Sequence, residues 1–178
     1  MKPTGTQVIQ TRRLCLRPPC QSDAEALMHA GTMNQPLAEV KRRMAAMVDE
    51  IGRPFVYHWV ITLDGIPIGR IRAWDVNPYN GYLQLGYDIG AAYRNRGLMT
   101  EAVRAVLDYL LTRADAHRVF CSVREGNLAS RRVCEKCGMR LEGTLREHYA
   151  RQDGGYDDVR VYGILKQEWM EEEKQHGN

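Results

Sequence analysis

The chain has 178 residues, 44% hydrophobic and 26% charged. That balance fits one compact domain with its own core and excludes a disordered, collagenous or coiled-coil chain. Its 25 Lys and Arg against 22 Asp and Glu leave a formal charge of +3, which falls short of the basic footprint of a nucleic-acid-binding protein.

No apolar run reaches the roughly 18 residues needed to span a bilayer, and residues 1–10 lack the apolar segment of a secretory signal. Five cysteines with no regular spacing fit a reducing compartment better than a disulfide framework. The expectation is a cytoplasmic single domain over residues 1–178, monomer or homodimer, with no membrane or nucleic-acid partner. In chain order, Leu14 and Leu16 alternate with arginines in a first strand that ends at Pro18-Pro19, where proline cannot donate to a ladder. Ser22 followed by Glu25 reads as a capping box for a short helix to about His29. A second helix is expected over residues 36–52, with Leu37, Val40, Met44 and Met47 on one face and Lys41, Arg42 and Arg43 on the other. Strands over 56–63 and 66–74 flank Asp64-Gly65, a two-residue hairpin signal.

A fourth strand spans about 82–89, and a basic, glycine-bearing turn, Tyr93-Arg94-Asn95-Arg96-Gly97, leads into a helix with Met99, Val103, Val106, Leu107, Leu110 and Leu111 at the helical period. A buried strand over 119–123, a helix over 128–137 stopped by Gly138, and strands over 141–149 and 158–165 follow, with Glu171-Glu172-Glu173 as a solvated helix end. No repeat or linker divides the chain.

The segment from Tyr93 to Glu101 has the makings of an anion site. The first amides of a helix have no intrahelical partner, the dipole is positive there, and a glycine admits a phosphate to the main chain. A solvated basic loop is the plainer alternative. The segment is neither a Walker loop nor a G-x-G-x-x-G turn.

Arg94-Asn95-Arg96-Gly97-Leu98-Met99, continuing into Thr100-Glu101-Ala102, resembles the acyl-CoA pyrophosphate loop of the GNAT N-acetyltransferase family. Leu85-Gly86-Tyr87 is similar to the family's fourth strand. Asn127-Leu128-Ala129-Ser130, Glu135 to Met139 and Glu142-Gly143 resemble its second acyl-CoA segment in the branch, of RimJ/RimL type, that acetylates ribosomal-protein N termini. Thr11 to Arg17, Tyr156-Asp157-Asp158, Tyr162 and Glu168-Trp169 fit the same branch, so the resemblance covers about residues 11–169. It implies an α/β fold: a mixed, mostly antiparallel sheet splayed between strands four and five, flanked by helices. The implied reaction is transfer of an acetyl group from acetyl-CoA to a primary amine. A protein or peptide α-amine is the first expectation; a polyamine, amino sugar, amino acid or antibiotic amine, or a noncatalytic acyl-CoA-binding module, are the alternatives.

By that resemblance acetyl-CoA is held by Asp88, Ile89, Arg94, Asn95, Arg96, Gly97, Leu98, Met99, Thr100, Asn127 and Ser130. Met99 stands where the general pattern has Gly or Ala, Gln84 where many relatives carry a glutamate, and Cys134 where many place the tyrosine that protonates the departing thiolate. The chemistry needs a neutral amine, donors for a developing oxyanion and a proton for the thiolate. A backbone amide near Ile89 serves the oxyanion. Ser130 serves the thiolate, unless it only satisfies backbone at a helix start. Asn127 orients the pantetheine, caps that helix, or does both. Glu147, His148, Tyr149 or a water chain takes the amine's proton, with Glu147 and Tyr149 the side chains put forward as catalytic beside Ser130. Cys134-x-x-Cys137 has no matching pair or His cluster, so no metal is expected.

Overall fold

The computed structural model describes residues 1–33 and 35–176. Its strands are β1 (Ile9–Gln10), β2 (Leu14–Arg17), β3 (His58–Leu63), β4 (Ile66–Asn77), β5 (Tyr82–Ile89), β6 (Arg118–Arg124), β7 (Arg140–Ala150) and β8 (Tyr156–Leu165). They form one sheet in the order β1-β2-β3-β4-β5-β6-β8-β7. The helices are α1 (Asp23–His29), α2 (Leu37–Glu50), α3 (Leu98–Asp108), α4 (Leu128–Lys136) and α5 (Lys166–His176). Among the described residues, no helix is long and apolar enough to cross a membrane.

The predicted meander is present, with Asp64 and Gly65 both at positive φ in the β3–β4 turn. Two local expectations need correction. Ser22 has helical angles and its side chain makes no cap. Asp23 instead takes the reach-back part expected of Glu25: its Oδ2 accepts from the amide of Cys20, three residues before it, at 2.8 Å while Arg17 grips both carboxylate oxygens at 2.8 and 2.6 Å. Glu25, free of the box, pairs with Lys41 on α2. The long apolar period after Leu98 is also not one α-helix, since α3 passes into a wider π-type turn over Tyr109–Arg113. β1 is an addition, closed onto β2 by a turn in which the Leu14 amide donates to Thr11 Oγ1 at 2.9 Å.

The sheet divides into two halves. All other neighbouring strands pair antiparallel, but β5 and β6 run parallel and pair only through Tyr82–Gln84 against Arg118–Phe120. Beyond those residues β5 stays with β4 while β6 follows β8. The sheet therefore opens into a V from Leu85 onward. Strand alternation gives each half two faces. Trp59 and Ile61 of β3, Ile71 and Ala73 of β4, and Leu83 and Leu85 of β5 join the main core with Leu98, Ala102, Val103 and Val106 of α3. Val60 turns to the other face, where it packs with Ala24, Leu27, Val40 and Met44 of α1 and α2.

Candidate active site

The V is where chemistry-bearing residues converge. The Gly90 amide donates to Ile68 of β4 at 2.8 Å, and because amides alternate in direction along a strand, those of Asp88 and Gly86 also face β4. The amides of Leu85, Tyr87 and Ile89 then point into the V, toward β6. A row of three donors at a strand edge is suited to an extended amide-bearing ligand.

One end of this row leads to the basic turn. A 3₁₀ turn over Ala91–Tyr93 carries the chain to Asn95 at φ 58° and Gly97 at φ 73°, and α3 starts at once at Leu98. These left-handed positions turn successive amides in one direction, and the first turn of α3 adds amides of its own. Gly97 is unobstructed: a Cβ there would come no nearer than 3.6 Å to anything, namely Arg13 Nη2. The loop is braced from below. Glu101 accepts from Thr11 Oγ1 at 2.6 Å, the Arg13 amide at 2.9 Å and Arg13 Nε at 2.6 Å, while Arg13 Nη1 donates to the Arg96 carbonyl at 3.0 Å. Burial works against the Glu101 charge, but these donors hold its carboxyl below the ordinary range. Arg94 and Arg96 stay at the surface, Arg94 Nε reaching the Ile89 carbonyl at 3.4 Å. The amides and the braced loop fit a diphosphate with a pantetheine arm lying along the V, so the residues present fit acetyl-CoA.

Ser130 lies across the V. Asn127 caps α4 by accepting from the Ser130 amide at 3.1 Å, and Ser130 Oγ donates to Tyr87 Oη at 3.0 Å. Tyr87 Oη donates to the Ser130 carbonyl at 3.1 Å and lies 3.3 Å from Cys134 Sγ. Burial raises the Tyr87 phenol well above its ordinary value, so it stays protonated. Cys121, Cys134 and Cys137 are buried free thiols, and burial pushes Cys137 up to about 12.

A cleft of about 300 Å³ crosses the V, lined by Tyr87, Asp88, Asn127 and Ser130 together with Arg70, Arg72, Trp74 and Tyr149. Of the predicted catalytic residues, Ser130 and Tyr149 share this cleft. Tyr149 packs 4.8 Å from the His148 ring, with Arg124 over its own ring at 4.7 Å. Glu147 does not line it. It sits exposed at φ 51° in a bulge of β7, its amide donating to Asp158. Asp88 faces away from the loop, accepting from Arg70 Nε at 2.7 Å; burial raises its carboxyl against the pull of Arg70. Gly86 makes room for Trp74, whose Cη2 would lie only 2.2 Å from a Cβ there.

Sequence reasoning missed Tyr87, Arg70, Arg72 and the Arg13–Glu101 brace. The alternation of 85, 87 and 89 was the available signal for Tyr87. The others are cross-strand or distant partners.

Comparison with known proteins adds four findings. The Acetyltransferase (GNAT) domain family matches residues 13–140. YjcK of Bacillus subtilis (strain 168), named a probable N-acetyltransferase, is 32% identical over 130 residues, 70% of each chain. A ribosomal-protein-serine acetyltransferase of Escherichia coli (strain K12) is 27% identical over 98 residues, 55% of this chain and 54% of that one. The solved structure of RimL, a ribosomal L7/L12 alpha-N-protein acetyltransferase in complex with coenzyme A, superimposes with a TM-score of 0.82 at 20% identity, covering 89% of this chain and 98% of that one.

Proposed function

The chain belongs to the GNAT acetyltransferase family, and from that premise we propose that it moves an acetyl group from acetyl-CoA to the α-amine of a protein or peptide. The observation that carries the reading is the early end of the β5–β6 ladder. It leaves three β5 amides aimed into a V that joins the braced loop to the Ser130 and Tyr149 cleft. The ribosomal-protein acetyltransferases among its relatives favour a peptide amine.

Acetyl-CoA supplies the activated acetyl group. The chain's own residues do the rest. The amides of Asn95 to Thr100 hold the diphosphate, with Arg94 and Arg96 adding positive charge. The amides of Leu85, Tyr87 and Ile89 line the V; those nearest the diphosphate loop hold the pantetheine arm, and the part of the row beside Ser130 supplies the fixed dipole for negative charge developing on the acyl oxygen. Asn127 fixes the start of α4, and Ser130 presents its hydroxyl to the departing sulfur, with Tyr87 behind it as a protonated partner. Tyr149, the member of the Glu147–Tyr149 stretch that lines the cleft, contacts the acceptor amine, whose proton leaves through water beside it. We place the protein in a reducing cytoplasm, a reading supported by its odd cysteine count.

Coenzyme A thiol release over a panel of N-terminal peptides, a polyamine and an amino sugar tests the proposal. A kcat/KM for peptides at least about tenfold above the small amines, a gap of about 1.4 kcal/mol in transition-state binding, is expected. Turnover of small amines alone overturns it.

A further inference from the structure

The sheet face beneath α2 carries charges that do not cancel. Glu39 accepts from Arg42 at 2.8 Å through both Nε and Nη2, and from Arg43 Nε at 2.7 Å. These donors hold its carboxyl down to about 2, so it stays charged and committed to both. Asp88 is committed to Arg70, and Glu50 lies 3.3 Å from His58 Nε2. Arg72 is the remainder. Among the described residues no carboxylate lies within ion-pairing distance of it, and its guanidinium stands 5.0 Å over the Trp74 ring. Partial desolvation disfavours the Arg72 charge, neighbouring Arg70 and Arg43 add to the cost, and the Asp88 carboxylate, already bonded to Arg70, offsets part of it. A guanidinium fixed beside another, stacked on an indole and turned to a cleft, is arranged to receive a planar anion.

The position of Arg72 says which anion. It lines the cleft that holds Ser130 and Tyr149, and it also lines a second cleft of about 360 Å³ bounded by Arg42, Arg43, Met47 and Glu50 of α2. The two spaces meet at Arg70 and Arg72. An acceptor with its amine beside Tyr149 therefore runs past Arg72 and onward along α2. A polyamine entering the same way meets Arg42 and Arg43, already paired with Glu39, Arg70, already paired with Asp88, and Arg72, which has no carboxylate of its own, against the carboxylate of Glu50. An extended peptide advances about 3.3 Å per residue, so its first few side chains fall along this path.

We propose that the acceptor is an N-terminal peptide with an acidic side chain within its first few residues, its carboxylate bound by Arg72 at the junction of the two clefts. The inference rests on the peptide-amine reading above and adds the acceptor's charge. Screening by salt weakens such a contact, since the junction is open to solvent.

Calorimetry in the presence of coenzyme A, with the amidated peptides Ala-Asp-Ala-Ala and Ala-Asn-Ala-Ala, tests it directly on the full chain. The Asp peptide is expected to bind at least about tenfold more tightly at low salt, a difference of about 1.4 kcal/mol, with the preference shrinking as salt rises. Arg72→Gln is expected to bring the ratio close to one, and Arg72→Lys to restore part of it. Equal binding of the two peptides to the native chain, or a ratio unchanged in Arg72→Gln, overturns the proposal. β-Alanine binding as tightly as the Asp peptide also overturns it, because a free amino acid would then be the source of the carboxylate. Asp-selective binding without acetyl transfer would overturn the peptide-acetylation reading and leave this charge match standing. Equal turnover and equal binding of both peptides would do the reverse.

Discussion

The Ser130 hydroxyl faces two roles that a single substitution separates. Its amide is already capped by Asn127, so alanine at this position leaves the helix start intact. If the hydroxyl donates to the departing thiolate, Ser130→Ala lowers kcat and kcat/KM together, on the order of 10²-fold, while coenzyme A affinity stays nearly unchanged. Native turnover with a lower Tm would instead leave Ser130 a local helix residue and shift the proton's source to Tyr87. A second residue, Asp23, carries stability rather than chemistry. Burial works against its charge, but the Arg17 guanidinium and the Cys20 amide outweigh that cost and hold its carboxyl below the ordinary range. A carboxyl with a folded value below its unfolded one stabilises the fold fully above the unfolded value, about 3.9, and loses that contribution as pH falls through the folded one. Asp23→Asn strands Arg17 in a partly buried position and is expected to cost about 3 kcal/mol at pH 7, read by urea unfolding. The gap to the native chain should narrow below about pH 4; an equal gap at pH 7 and pH 3 would show that the ion pair is not what holds α1 to β2.

The loop and α3 act as one element because Glu101 ties them to the turn before β2. Gly97→Asp sets a side chain and a negative charge at φ 73°, where the proposed reading brings the diphosphate, and should abolish the rise in Tm expected by mass action on adding coenzyme A to the native chain. Glu101→Gln keeps the loop sequence but weakens the charged bonds to Arg13, each worth about 1.5–3 kcal/mol. It is expected to raise the coenzyme A Kd about tenfold with little change in kcat; an unchanged Kd would make the brace purely structural. Elements of this kind show what a sequence can reveal. Asp64-Gly65, Gly138 and the Arg94 to Gly97 turn are written in local chemistry, with positive φ where glycine or a turn residue stands, and each was legible. The box expected at Ser22 rests on residue type and spacing along the chain, whereas Asp23 holds the Cys20 amide with the help of Arg17 on β2. The π-type turn after α3 keeps an apolar pattern indistinguishable from a helix. Tyr87 against Ser130, Arg72 against Trp74 and Arg13 against Glu101 depend on register and on packing between segments far apart in the chain, which no one-dimensional period encodes.

At the scale of the whole molecule the two half-sheets are joined in register by three residue pairs between β5 and β6, with the α3 core spanning both. The amides of Leu85, Tyr87 and Ile89 should therefore exchange with solvent faster than those of Gly86 and Asp88, which face β4. Adding coenzyme A should slow the odd-numbered set by about tenfold or more if those amides take the pantetheine arm. An unchanged alternation in the complex would place the arm elsewhere. The indole that forces a glycine at position 86 also gives the molecule a built-in optical gauge. Of its three tryptophans, Trp59 is 1% and Trp169 2% exposed, while Trp74 is 38% exposed at the mouth of the cleft with Arg72 over its ring. A collisional quencher such as acrylamide thus reaches Trp74 and leaves the other two dark to it. Occupation of the acceptor side is then expected to register as lost quenching in unlabelled protein, while coenzyme A bound at the α3 loop as proposed, on the other face of the sheet, is expected to leave most of that signal in place.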